Sequence, residues 1–196
     1  MKRLVLIVIT LICFTTLIGC QKGANNIKLL YEPLSEKEEC LLNLTENRIL
    51  MYKLNNIPGD IKYHISLIYE VYKNTEKIKE EVIMDFMRNE PNGKIDNKKI
   101  GLNIQDNEIR FIHGKEGAYA SGSYNLEEDL SKYSKAFLMN NANLAIGADI
   151  YIYYANLGDG IRMDIPLGVQ VDSNTLDDLL GDNEYTVLIK LSYEEI

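Results

Sequence analysis

The chain of 196 residues is 46% hydrophobic and 26% charged, with 4 Pro and 13 Gly, a balance that excludes collagen-like, low-complexity and disordered chains and predicts a single globular domain. Lys and Arg number 21 against 29 Asp and Glu, a formal net charge of -8. An acidic body of this kind has no counterion-release route to a phosphate backbone, so nucleic acid is excluded as a partner.

Met1, Lys2 and Arg3 form a short positive region ahead of the apolar run from Leu4 to Ile18, which ends at Gly19-Cys20. This is the anatomy of an export signal. The run falls short of the roughly 20 apolar residues that a spanning helix needs, and the polar stretch from Gln21 to Asn26 follows at once. Leu17-Ile18-Gly19-Cys20 resembles the lipobox of bacterial lipoproteins, in which cleavage precedes the cysteine and its sulfur takes diacylglycerol. The resemblance implies a signal peptide over 1–19, lipidation at Cys20, and a protein anchored to the cell membrane on its extracytoplasmic side. With each buried methylene contributing about 0.8 kcal/mol, two acyl chains hold a protein on a bilayer without help from a basic patch. Residues 20–35 are polar enough to read as a tether, leaving 36–196 as the folded domain. Cys13 falls in the signal and Cys20 carries lipid, so Cys40 is the one thiol left and no intramolecular disulfide can form. Next to Glu38 and Glu39 that thiol is expected to be buried and inert.

Downstream the hydrophobic period is two. Ile61, Tyr63, Ile65, Leu67, Tyr69 and Val71 alternate with a more polar set, then a turn at Lys73 to Lys77 leads into Val82, Met84 and Phe86, which predicts a long hairpin. Pro91-Asn92-Gly93 reads as a turn. Further strands are expected over Arg48 to Leu54, Ile100 to Ile104, Ile109 to Ile112, Tyr119 to Tyr124, Ala136 to Met139, Ile150 to Ala155, Ile161 to Val171 and Tyr185 to Tyr193, with Pro166 at an edge or bulge. Leu176, Leu179 and Leu180 predict a short helix capped at Ser173 or Asn174 and stopped at Gly181, packed on the end of the strands. A second helix is expected over Leu126 to Tyr133. The fold class that follows is mainly β: an antiparallel β-sandwich, immunoglobulin-like or similar, with one or two short helices.

Catalytic patterns are sparse. Ala120-Ser121-Gly122-Ser123-Tyr124 does not match a nucleophile elbow, although His113 across a hairpin from Ser121 or Ser123 is a candidate pair. His64 and His113 are the two histidines, too few for a tetrahedral zinc site without carboxylates brought in by the fold. His64 reads as a solvated strand residue. Glycosidase chemistry needs two carboxylates on one face at short spacing, and no strand carries an i, i+2 acidic pair. Asp159, Asp164, Asp172, Asp177, Asp178 and Asp182 gather in the last third without a calcium-loop pattern, and caps and turns account for them. No cofactor, metal or catalytic residue is expected.

Tyrosine is the most distinctive surface candidate. Tyr151, Tyr153 and Tyr154 put bulk on both faces of one strand, which marks either a central strand or an exposed contact patch. Composition and layout, rich in Ile, Asn and Lys, resemble those of small lipoproteins of Gram-positive bacteria. The expectation is a non-enzymatic binding or accessory module in the cell envelope, held to the membrane by lipid and docking on an envelope protein, with a small-ligand, ion or glycan binder as the alternative. Replacing the lipid acceptor tests the anchor: Cys20→Ala is expected to release the protein from the membrane fraction, and a normally cleaved mutant that stays tightly bound would defeat the lipid reading.

Overall fold

The computed structural model describes residues 26–44, 48–157 and 165–196. The export signal, Cys20, Asp159 and Asp164 lie outside these residues. In chain order the strands are β1 (Ile27–Tyr31), β2 (Ile49–Ile57), β3 (Tyr63–Lys73), β4 (Glu76–Arg88), β5 (Asp96–Ile104), β6 (Glu108–Lys115), β7 (Ala118–Asn125), β8 (Ser134–Phe137), β9 (Ala142–Leu144), β10 (Ala148–Leu157) and β11 (Tyr185–Glu195). Two helices, α1 (Glu36–Asn43) and α2 (Ser173–Leu180), accompany them. Neither is long and apolar enough to cross a membrane.

All strand pairs are antiparallel and fall into two sheets. Sheet 1 runs β7-β6-β5-β2-β1-β9, and sheet 2 runs β4-β3-β11-β10-β8. The predicted alternation is what joins them. Leu50, Tyr52 and Leu54 of β2 and Ile100, Leu102 and Ile104 of β5 face Ile65, Leu67, Tyr69 and Val71 of β3 and Val187, Ile189 and Leu191 of β11 in one continuous core. Each such side chain contributes about 1.5–3 kcal/mol by leaving water. Tyrosines enter this core where their hydroxyls find acceptors: Tyr52 donates to the Leu138 carbonyl at 2.7 Å and Tyr69 to Glu128 at 2.6 Å. The Tyr153 and Tyr193 hydroxyls are buried without a hydrogen-bond partner among the described residues. Burial pushes the Tyr193 phenol up to about 12.

Sheet 2 differs from sheet 1 in being apolar on both faces. In β10 the register shifts between Tyr151 and Tyr153, so Ile152 and Tyr153 both enter the main core while Tyr151 and Tyr154 turn to the outside. There Leu179 and Leu180 of α2 pack on Tyr72, Tyr151, Tyr154 and Leu188 in a second cluster. The helix is therefore on the outer face of sheet 2, not at the end of the sandwich. Its cap is Asp172, whose carboxylate accepts from the Thr175 N–H at 2.7 Å, one residue before the expected caps. Gly181 ends it at φ 49°.

Several expectations are corrected. β1 lies inside the stretch read as a tether, and Ile27 and Leu29 are fully in the core; five residues with two inward apolar side chains make a short strand that polarity-based reading overlooks. The expected strand from Ile161 to Val171 is not formed in its described part. Pro166 lacks a donor and Gly168 sits at φ 77°, so the chain instead crosses β10 through Gly168 N–H to Tyr151 and Val171 N–H to Asp149 bonds, both 2.9 Å. The helix expected over Leu126 to Tyr133 shrinks to a single 3-10 turn at Leu130–Lys132. Cys40 is exposed, on α1, because that helix carries Glu36, Glu38 and Glu39 in its first turn and sends no side chain into the core.

One end of the sandwich is closed by charge. Arg88 of β4 pairs with Asp96 of β5 at 2.8 Å, donates to the Pro58 carbonyl at 2.9 Å, and lies 5.0 Å from the Tyr63 ring centroid. Lys115 at 2.9 Å and Lys98 at 3.7 Å share the same carboxylate. Burial would raise the Asp96 pKa, but the Lys115, Lys98 and Arg88 cations outweigh it and hold the group below the usual carboxylate range. Arg88→Ala is expected to destabilise the fold by about 3 kcal/mol, because it strips a nearly buried carboxylate of its inter-sheet partner. Tyr153→Phe is expected to leave stability unchanged or raise it by up to about 1 kcal/mol, since it removes an unpaired buried hydroxyl. Denaturant unfolding of the two variants measures both.

Candidate functional site

While α2 packs on Tyr72, Tyr151, Tyr154 and Leu188 of sheet 2, sheet 1 has an open outer face. Its outward residues form rows across four strands, set by the registers of β2, β5, β6 and β7. One row is Met51, Gly101, Ile112 and Ser121. On one side of it lie Ile49, Asn103, Arg110 and Ser123, and on the other Lys53, Lys99, Gly114 and Tyr119. Rows two residues apart along a strand are separated by about 6.5–7 Å.

Gly101 is the point on which this face turns. With no side chain there, a groove of about 510 Å³ opens along the central row, with Ile49, Met51 and Ile112 beneath it and Asn103, Arg110, Ser121 and Ser123 at its margin. A methyl group at Gly101 would sit 2.8 Å from both the Ile112 side chain and the Met51 sulfur, so any side chain there closes the depression. The charged residues lining the groove, Arg110 and Glu108, are paired with each other at 2.7 Å. One row away Lys99 is paired with Glu32 at 2.9 Å; hydrogen bonding to Glu32 holds the Lys99 ammonium above its usual value. Lys53, beside Lys99, makes no ion pair among the described residues. An apolar floor with polar side chains and one internal ion pair at its margin suits an apolar side chain flanked by hydrogen-bonding groups.

The residues singled out from sequence fall elsewhere. Tyr151, Tyr153 and Tyr154 are 2%, 0% and 4% exposed, so they are not a binding surface: β10 is a central strand between β11 and β8, and its two-sided bulk fills two cores. His113 does not meet Ser121 or Ser123. It is in register with Ala120 and faces inward, stacked on Phe86 at 5.5 Å, while both serines face outward. Burial, followed by the nearby Lys98 charge, lowers the His113 pKa, and the ring is a neutral packing element at pH 7. His64 has neighbours that sequence reading missed: Ser66 at 3.1 Å and Asp85 at 3.3 Å. Both approach the same nitrogen, Nε2, whereas a triad needs the nucleophile and the acid on opposite nitrogens, so this cluster does not form a triad. Among the described acidic residues of the last third, Asp172 caps α2, and no group of three His, Cys, Asp or Glu side chains among the described residues could hold a metal ion.

A buried ionic centre lies under the edge of α2. The Glu70 side chain is fully buried and accepts from Lys77 at 2.7 Å, Tyr151 at 2.9 Å and Tyr72 at 3.2 Å, while Lys190 lies 3.1 Å away and also reaches Asp149 at 3.0 Å. Burial would raise the Glu70 pKa, but the two ammonium groups and the Tyr151 hydroxyl reverse the direction and lower it. With every contact internal, this centre holds the fold rather than a ligand. A carboxylate whose folded pKa is depressed adds stability that is complete above its unfolded value, about 4.3 for Glu and 3.9 for Asp, and lost as pH falls through the folded value. Thermal unfolding followed from pH 7 to pH 3 is expected to show falling stability below about pH 4, and Glu70→Gln is expected to lower stability at neutral pH while flattening that acid slope. No protein-family model, no curated protein and no solved structure matches this chain.

Proposed function

We propose that this protein is a non-enzymatic binding module of the bacterial cell envelope, tethered to the membrane by lipid on Cys20, and that it holds a protein partner in the Gly101 groove. The observation that carries the reading is the groove itself: about 510 Å³ in volume, with an apolar floor, on a sheet face that neither described helix is packed against. The partner it fits presents an apolar side chain over Gly101 and hydrogen-bonding groups for Asn103, Ser121 and Ser123 at the margin. The lipobox resemblance at Leu17-Ile18-Gly19-Cys20 supports the location.

The groove's volume also favours a second reading, since it lies within the range of about 300–1,000 Å³ typical of small-molecule sites: a small apolar molecule could occupy the same floor. A photo-crosslinking residue placed at position 112 of the full chain in living cells separates the two. The expected result is one reproducible protein adduct that disappears when Gly101→Ala is added and the depression is filled. A small-mass adduct would favour the ligand reading, and a protein adduct indifferent to Gly101→Ala would contradict the groove as the site.

A further inference from the structure

A sandwich of two open sheets has four edge strands, and an unguarded edge invites pairing with another chain. Three of the four edges here carry protection. β4 is studded with Glu76, Lys77, Lys79, Glu80, Glu81 and Asp85 and broken by two register shifts. β8 has four residues and β9 three. The fourth edge is β7, eight residues reading Ala-Tyr-Ala-Ser-Gly-Ser-Tyr-Asn, with no charge, no proline and an unbroken register against β6.

The backbone polarity of β7 can be assigned. Leu126 N–H bonds the Asn107 carbonyl at 2.9 Å, continuing a ladder in which the even-numbered residues of β7 turn their N–H and C=O groups toward β6. Tyr119, Ser121, Ser123 and Asn125 then turn theirs outward. Their side chains stand on the groove face, and Ser121, Ser123 and Asn125 are exposed along with Tyr119 at 45%.

We propose that β7 pairs antiparallel with β7 of a second copy of this chain, about a two-fold axis through Gly122. In that register Tyr119 lies opposite Asn125 of the second copy and Ser121 opposite its Ser123, so every outward N–H and C=O of the edge acquires a partner. Gly122, lacking a side chain, meets itself on the axis. Charge selects the same occupant. Lys53, Lys98, Lys99 and Lys115 gather at the turn that precedes β7, against Asp96 and Glu116, whereas Glu127, paired with Lys79 at 3.2 Å, Glu128, which accepts from Tyr69, and Asp129, which caps the 3-10 turn, follow the strand after Leu126. Antiparallel pairing of identical strands sets the basic end of each copy against the acidic run of the other, and the uncharged seam between them carries no like-charge penalty despite a net charge of -8. A two-fold axis normal to the sheet also keeps both groove faces on one side, so the pair presents two Gly101 grooves together and gains avidity for a repeated or clustered partner. This inference goes beyond the groove reading and does not depend on what the groove holds.

Native mass spectrometry and sedimentation of the full-length chain in non-ionic detergent test it. The expected result is a dimer that weakens as salt rises, because opposite charges cross the seam. Ser121→Pro, which removes one outward donor at a position where an edge tolerates proline, and Ser123→Lys, which supplies an edge guard, should each weaken the dimer at least about tenfold while the dissociated chain keeps the unfolding temperature of dilute, monomeric wild type. If Ser121→Pro fails to fold, Ser123→Lys decides. A wild-type chain that stays monomeric, a dimer that both variants leave intact, or β7 paired with a strand of a different protein would overturn the proposal. Gly101→Ala should leave the dimer in place, so loss of groove binding and loss of self-pairing are read separately.

Discussion

The constraint on which this structure depends is the two-sided hydrophobicity of the central strands of sheet 2. Every residue from Ile150 to Asn156 of β10 is buried, and β11 and β3 put Leu188 and Tyr72 on the side away from the main core. A sheet of that composition needs a cover on each face, because an apolar outer face left in water would forgo most of its burial free energy. Sheet 1 supplies one cover. The segment from Ile165 to Val171 and the leucines of α2 supply the other, and α2, at two turns, depends on that contact to exist. Glu70 is a product of the same arrangement: once α2 and its approach segment close the outer face, a carboxylate on β3 must be matched internally, and Lys77, Lys190, Tyr72 and Tyr151 do so.

That division of labour decides where binding can occur. The central strands of sheet 2 are occupied on both sides, while β2, β5, β6 and β7 of sheet 1 leave one face open at the groove. On that face the single glycine of the central row makes a depression, and next to it runs β7, the one edge strand among the described residues without a guard. The groove uses the side chains of Ser121 and Ser123 and the edge their backbone groups, so the two surfaces lie side by side on one strand. Under the proposed arrangement the protein acts as a paired platform whose rigid half, sheet 2, faces away from its partners.

The main-core face of β3 and of β11 was legible residue by residue, because the residues entering it recur with a period of two, but in β4 the register shift that skips Ile83 puts Ile83 and Met84 in the core and turns Val82, expected beside Met84 and Phe86, out to 58% exposure. β10 was legible only as an ambiguity: Tyr151, Tyr153 and Tyr154 showed bulk on both faces, and sequence alone does not say whether another layer covers the second face. The pairing of His113 with Ser121 or Ser123 failed on parity. Proximity along a hairpin is set by residue number, but the face is set by register, and His113 opposite Ala120 puts both serines on the other side. β1 was missed because two inward apolar residues in five are too short a signal among Asn and Lys. Gly101 was readable in principle, since an isolated glycine inside a strand pattern marks a close approach or an opening. Its meaning depended on knowing that Met51 and Ile112 flank it in register, which is tertiary information.

The most direct test of the account is amide hydrogen exchange on the full-length chain, resolved to single residues and followed through a dilution series. If the open face and edge of sheet 1 are the interaction surface, the outward amides of Tyr119, Ser121 and Ser123 exchange slowly at high concentration and quickly on dilution, while β3, β10 and β11 stay protected throughout. Concentration-dependent protection confined to α2 and the outer side of sheet 2, with the β7 amides exchanging freely at every concentration, would contradict it.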